Sequence, residues 1–226
     1  MGQRATALEK LLVHAGLEST GASASFRMSD FREGQRDLAH RIFVFLGGVD
    51  ERFEAITGPG QWDLTFTGGM VIELDEEQHF NRYRLETLTL LTQLGLPWED
   101  AYESYCIAME GRCARSGGWW SNPSAERLFG PSDEPGTFAG LGAARWKQRA
   151  FNDALKDIHE TQLISRVSIY DEIEGRRLDS ILKAEDFEWA DRVLAFVRSR
   201  QKRAAVWEQL EEPEFVWNPE NYDSPA

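Results

Sequence analysis

The stretch that most limits what this chain can fold into is WDLTFTGGMVIELD, residues 62 to 75. Two runs rich in aromatic and β-branched residues flank Gly68-Gly69, the pattern of a β-hairpin. The turn length decides which side chains share a face, because a one-residue slip moves each of them to the other side of the sheet. A two-residue Gly68-Gly69 turn sets Asp63 against Leu74 and mixes polar with apolar residues on both faces. A three-residue loop, Thr67-Gly68-Gly69, instead sets Phe66 opposite Met70, Leu64 opposite Ile72 and Trp62 opposite Leu74. One face is then apolar throughout, and the other carries Asp63 opposite Glu73, with Asp75 two residues further on. That segregation selects the longer loop. Opposed residues have Cβ atoms ~5 Å apart and alternate residues of one strand lie ~6.6 Å apart, so Asp63, Glu73 and Asp75 can converge on one cation. Carboxylates crowded at the end of a buried strand repel one another and lose solvation, a cost that a cation removes. The plain alternative is a strand that ends in a solvated acidic turn.

Around this hairpin the chain reads as α/β: a small mixed sheet flanked by helices. Periodicity predicts helices over residues 4 to 16 and 33 to 47, the second with Leu38, Ile42 and Phe45 inward and Glu33, Asp37 and His40 outward. Helical patterns follow Phe80 through LETLTLLTQLG and WEDAYESYCIAMEGRCA. Residues 116 to 144, rich in Gly, Pro and Ser, read as a long loop held by Trp119-Trp120 or presenting that pair to a base or partner. RWKQRAFNDALKDIHE is a strong helix, LISRVSIYDEI a strand, and 185 to 206 a last helix. Length fits one domain, residues 1 to 207, with an insertion at about 85 to 144 and an acidic tail from 208 to 226.

Charge and cysteine content narrow the setting. The net charge is −13; the tail carries six acids and no base, and the remainder still keeps −7. That balance opposes strong nonspecific binding to nucleic acid, leaving only a local basic groove for it. Bases cluster at Arg145, Lys147 and Arg149, at Arg176 and Arg177, and from Arg198 to Arg203. Two cysteines, Cys106 and Cys113, lie seven apart on one helix, about 10 Å from each other, which no disulfide spans. A reducing, cytoplasmic setting is the expectation, with no membrane span and no signal peptide. The tail segment EEPEFVWNPENYD has the look of a docking segment for its own domain, a protein partner or a basic groove.

Three carboxylates on one strand face suit a hard divalent cation, Mg²⁺ or Mn²⁺, which polarises phosphoryl oxygens. An Asp on one strand, then Glu-x-Asp on the next, then a basic helix and another strand, resembles the PD-(D/E)XK nuclease superfamily. The closest likeness is to the branch of very-short-patch-repair endonucleases, whose second strand reads hydrophobic-hydrophobic-Glu-x-Asp-Gly-x-x-His. VIELDEEQH carries Glu73, Asp75 and His79 at those intervals, WDLTF supplies Asp63, and LISRVSI supplies an Arg166 on the later strand. The likeness covers about residues 31 to 84 and 145 to 175. It implies a restriction-endonuclease-like core, a metal held by Asp63, Glu73 and Asp75, and a proton shuttle or phosphate clamp at His79 or Lys147. Asp75 occupies the place of the signature lysine, with Lys147 as the candidate for a migrated one, and Glu76 stands where the branch has Gly. Glu33, or else Glu9, is placed to add a further acid. The implied activity is metal-dependent phosphodiester hydrolysis, on DNA rather than RNA. Two rivals stand beside it: a non-catalytic interaction protein on the same fold, and a hydrolase of small phosphoesters.

Overall fold

The computed structural model describes residues 2–115, 120–138, 140–160 and 163–202. The hairpin forms as β1 (Leu64–Phe66) and β2 (Met70–Asp75) in the register that the face argument selects: Leu64 pairs with Ile72 and Phe66 with Met70. Gly68 and Gly69 turn the corner with φ of +77° and +79°, a region that side chains other than glycine resist. β3 (Leu163–Ser168) lies on the other side of β2 and runs parallel to it, giving a three-stranded mixed sheet in the order β1-β2-β3. Parallel neighbours need a long crossover. Here it contains α3 (Arg82–Leu90), α4 (Glu99–Arg115), α5 (Pro123–Phe129) and α6 (Ala144–Ile158).

All six residues of β2 are buried, so both its faces are covered. α6 lies over the face of Glu73 and Asp75, where its own Lys156 reaches Glu73 of β2 and Asp153 reaches Arg166 of β3. α1 (Gln3–His14) buries Ala5, Ala7, Leu8, Leu11 and Leu12 and packs against α7 (Leu178–Ala184) and α8 (Ala190–Ser199). α2 (Glu33–Phe45) packs on α6 through Leu38, Ala39, Ile42 and Phe43; Phe45 is only half-buried, and Phe43 takes the inward place expected of it.

Three elements differ from expectation. α5 forms inside the stretch read as loop: Asn122 caps it by accepting from the Ala125 N–H at 2.8 Å, and Pro123 occupies the first helical position. The strand after residue 163 stops at Ser168, whose N–H donates to Asp171 Oδ2 at 2.6 Å in a turn. A two-stranded ribbon follows, β4 (Glu172–Ile173) and β5 (Arg176–Arg177). Of the expected last helix, 185 to 206, the described residues form α8 from Ala190; α7 lies before that range, and a turn in which the Asp186 side chain accepts from the Glu188 N–H separates the two. Trp120 anchors its segment against Trp146 and Phe138 while its Nε1 donates to the Asp133 carbonyl. Trp119 and the acidic tail lie outside the described residues. Cys106 and Cys113 are buried free thiols, each pushed up to about 12 by burial. Among the described residues no helix is long and apolar enough to cross a membrane.

Candidate functional site

Strand alternation alone puts Val71, Glu73 and Asp75 on one side of β2, and the parallel register sets Arg166 of β3 beside Glu73. The helix above this face offers a matching ridge. Arg145, Arg149, Asp153 and Asp157 recur every four residues along α6 and therefore lie along one side of it. Where ridge and strands meet, a buried seam of ion pairs forms. Arg166 binds Asp75 at 2.6 Å, Asp157 at 2.8 Å and Asp153 at 3.2 Å. Arg84 from α3 reaches Asp157 at 2.7 Å, and Lys156 reaches Glu73 at 2.7 Å. α3 is aimed by Asn81, whose Oδ1 accepts from the N–H groups of Tyr83 and Arg84. Fully buried charges survive only when paired and hydrogen-bonded. Here Glu73, Asp75, Asp153 and Asp157 face Lys156, Arg84, Arg166 and the His79 ring, four acidic groups against four basic ones.

His79 closes the solvent end of the seam. Its side chain is 23% exposed, and Nδ1 lies 2.8 Å from Asp153 Oδ2 and 3.1 Å from Asp75 Oδ1. Each of these carboxylates binds Arg166 with its other oxygen. Burial draws the His79 pKa down, but Asp153 and Asp75 outweigh it and the net direction is up. Burial likewise works against the charge on Asp153, and His79 and Arg166 hold it well below the usual carboxylate range. Glu73 behaves differently: burial pushes it up to about 7 against the opposing pull of Lys156.

The structure brings some of the expected residues together and separates others. Asp63 and Glu73 do face each other across the hairpin: the Asp63 N–H donates to Glu73 Oε1 at 3.1 Å, and the Leu74 N–H donates to Asp63 Oδ2 at 3.0 Å. They do not close on Asp75 around a shared point, because Asp75 turns to Arg166 and Glu73 to Lys156. Among the described residues, the one group of three whose ligand atoms all lie within 4.8 Å is Asp75, His79 and Asp153. Lys147 is not at the strand; its ammonium lies 5.5 Å from the Tyr83 ring, with Glu86 and Asp133 as its nearest charges. Nine residues at about 100° each set Lys147 and Lys156 on opposite sides of α6. Lys156 therefore takes the place by the acidic strand that had been expected of Lys147. Glu33 is exposed on α2, and Glu9 hydrogen-bonds Ser19. Asp153, Lys156 and Asp157 were missed. The four-residue repeat along α6 and an arginine inside an apolar strand were the signals available for them.

Fold and site together define a mixed α/β protein with a buried seam of paired charges and a histidine at its edge. Comparison with protein families gives one match over residues 41–184, to a family of unknown function (DUF7255), and the chain belongs to that family. The matched span contains each seam residue named above. Comparison with curated proteins and with solved structures finds no match.

Proposed function

We propose that the chain is a nuclease-like phosphodiester hydrolase working through His79, with DNA ahead of RNA on the family resemblance. The observation that carries this reading is the placement of His79: a ring at the solvent edge, oriented through Nδ1 by the buried Asp153. A base or acid held by a third group is the arrangement that proton-transfer catalysis needs. Asp153 keeps the proton on Nδ1 and leaves Nε2 to meet the substrate. The carboxylates favour the imidazolium, so His79 acts as an acid. As a water oxygen bonds to phosphorus and the bond to the leaving oxygen breaks, Nε2 gives its proton to that oxygen. The proton released by the water restores the imidazolium. The order hairpin, helix, parallel strand, with acids on β2, agrees with the superfamily likeness.

The metal implied by that likeness does not fit Asp63, Glu73 and Asp75 as a set, since two of the three are bound to Lys156 and Arg166. Asp75, His79 and Asp153 bring ligand atoms within 4.8 Å of one another, and they would hold an ion only with Nδ1 deprotonated and Arg166 displaced from both carboxylates. Such an ion, when bound, polarises a phosphoryl oxygen.

The test is cleavage of end-labelled single- and double-stranded DNA and RNA in EDTA, Mg²⁺ and Mn²⁺. Loss of His79 (His79→Ala) is expected to slow cleavage by about 10²-fold or more, with Asp153→Asn close behind. A parent protein that cuts no nucleic acid under any of these conditions sinks the proposal, and turnover confined to small phosphoesters moves it to that substrate class. The closed ion pairs of Asp75 favour a second reading, a non-catalytic interaction protein, which predicts no turnover at all.

A further inference from the structure

In a chain of 25 basic and 38 acidic residues, a buried or half-buried cation should find a carboxylate, and Arg4, Arg82, Arg84, Arg166 and Arg200 each do. Arg145 and Arg149, both half-buried on α6, are different. Arg149 donates to the Gln78 carbonyl at 3.1 Å and to Gln78 Oε1 at 2.6 Å, both neutral acceptors. Arg145 donates to Gln148 Oε1 at 2.6 Å, again neutral. Neither has a carboxylate within ion-pair distance among the described residues. They stand four residues apart on the helix, a like-charge spacing that weakens the helix in itself. Burial and the neighbouring Arg145 lower the Arg149 pKa more than Asp153 and Asp75 raise it, so these guanidiniums feel each other and are compensated only in part. Arg149 also acts electrostatically on His79, one turn further along the same ridge at Asp153.

We propose that Arg145 and Arg149, with His79 beside them and Gln78 holding the place until it is displaced, form an anion subsite for the phosphate group of a phosphodiester. Guanidinium forks match phosphate oxygens in pairs, and Gln78 Oε1 occupies one arm of the Arg149 fork that a phosphate oxygen takes over. Along the ridge, the anion lies on the two arginines and the proton donor follows at His79, which puts binding and proton transfer on neighbouring turns of one helix. This inference rests on the hydrolytic reading for its substrate class, and its test separates the two.

Binding is measured apart from cleavage, in EDTA, with two probes: inorganic pyrophosphate followed by thermal shift, and a fluorescent single-stranded oligodeoxynucleotide followed by anisotropy across a salt series. Arg145→Ala and Arg149→Gln are each expected to weaken oligonucleotide binding about tenfold and to lower the slope of log K against log salt by about 1. Gln78→Ala, which frees the Arg149 fork, is expected to tighten it. Arg145, whose side chain donates to Gln148 Oε1 among the described residues, supplies the variant to use where Arg149→Gln does not fold. Pyrophosphate binding without oligonucleotide binding assigns the subsite to free phosphates and overturns the nucleic-acid form of the proposal. A parent that binds the oligonucleotide but never cuts keeps the subsite and removes the hydrolase. A parent that binds neither probe, or variants with unchanged affinity and slope, overturn the subsite.

Discussion

Arg166 contacts three carboxylates, and its removal would leave Asp75, Asp153 and Asp157 buried with too little positive charge. Breaking one side of a buried ion pair costs about 3–5 kcal/mol. Arg166→Met is therefore expected to lose that amount in urea unfolding, and a loss under about 1 kcal/mol would show that the seam contributes little. A second residue sets a pH limit. The His159 ring stacks on Phe26 at 4.0 Å, and burial first, then Lys202, push its pKa from 6.5 down to about 4. The folded protein keeps His159 neutral where the unfolded chain takes up a proton. Stability from this group is complete above pH 6.5 and is lost as pH falls from 6.5 to about 4. With a discount for the ring's partial exposure the loss is about 1–2 kcal/mol. His159→Phe is expected to flatten that fall, measured as urea midpoints at pH 7 and pH 4.5.

Among the elements, the hairpin was fully legible and α6 only half so. Alternation over residues 62 to 75 fixes the register because one choice alone segregates apolar from acidic side chains, and β1 and β2 pair in it. α6 shows Trp146, Ala150, Phe151 and Leu155 as a conventional apolar stripe, and this drew the site toward Lys147 on the wrong side. Its second buried ridge, Asp153 and Asp157, is stable only because Arg84 and Arg166 arrive from α3 and β3. The four-residue repeat marks this ridge locally, but its partners lie far away in sequence, so the α6 segment alone does not name them. α5 was hidden by its length, a seven-residue helix among Gly, Pro and Ser. α3 yields a prediction of its own. Asn81→Ala removes the acceptor for two N–H groups, and such caps are each worth about 1 kcal/mol. The same variant should loosen Arg84, read as faster hydrogen exchange across α3 than a loss at that cap alone would give.

For the whole molecule, a charge of −13 makes the compact state repel itself, while the seam pairs its acids with cations inside. Salt screens exposed charges over ~8 Å at physiological ionic strength and buried pairs far less. Raising NaCl from low to near-molar concentration is thus expected to raise the melting temperature of the parent, with the cost of Arg166→Met unchanged across the series. A parent destabilised by salt would place its main electrostatic contribution on the surface.

The pairing of Met70 with Leu163 and of Glu73 with Arg166 also bears on how the chain comes to be made. About ninety residues separate these partners, so β2 leaves the ribosome long before β3 exists and must wait for it. During that interval one side of β2 would be a sticky ribbon if both faces were apolar. Glu73 and Asp75 keep that side wetted until the guanidinium that will cover it has been synthesised, a built-in guard against premature association of nascent chains.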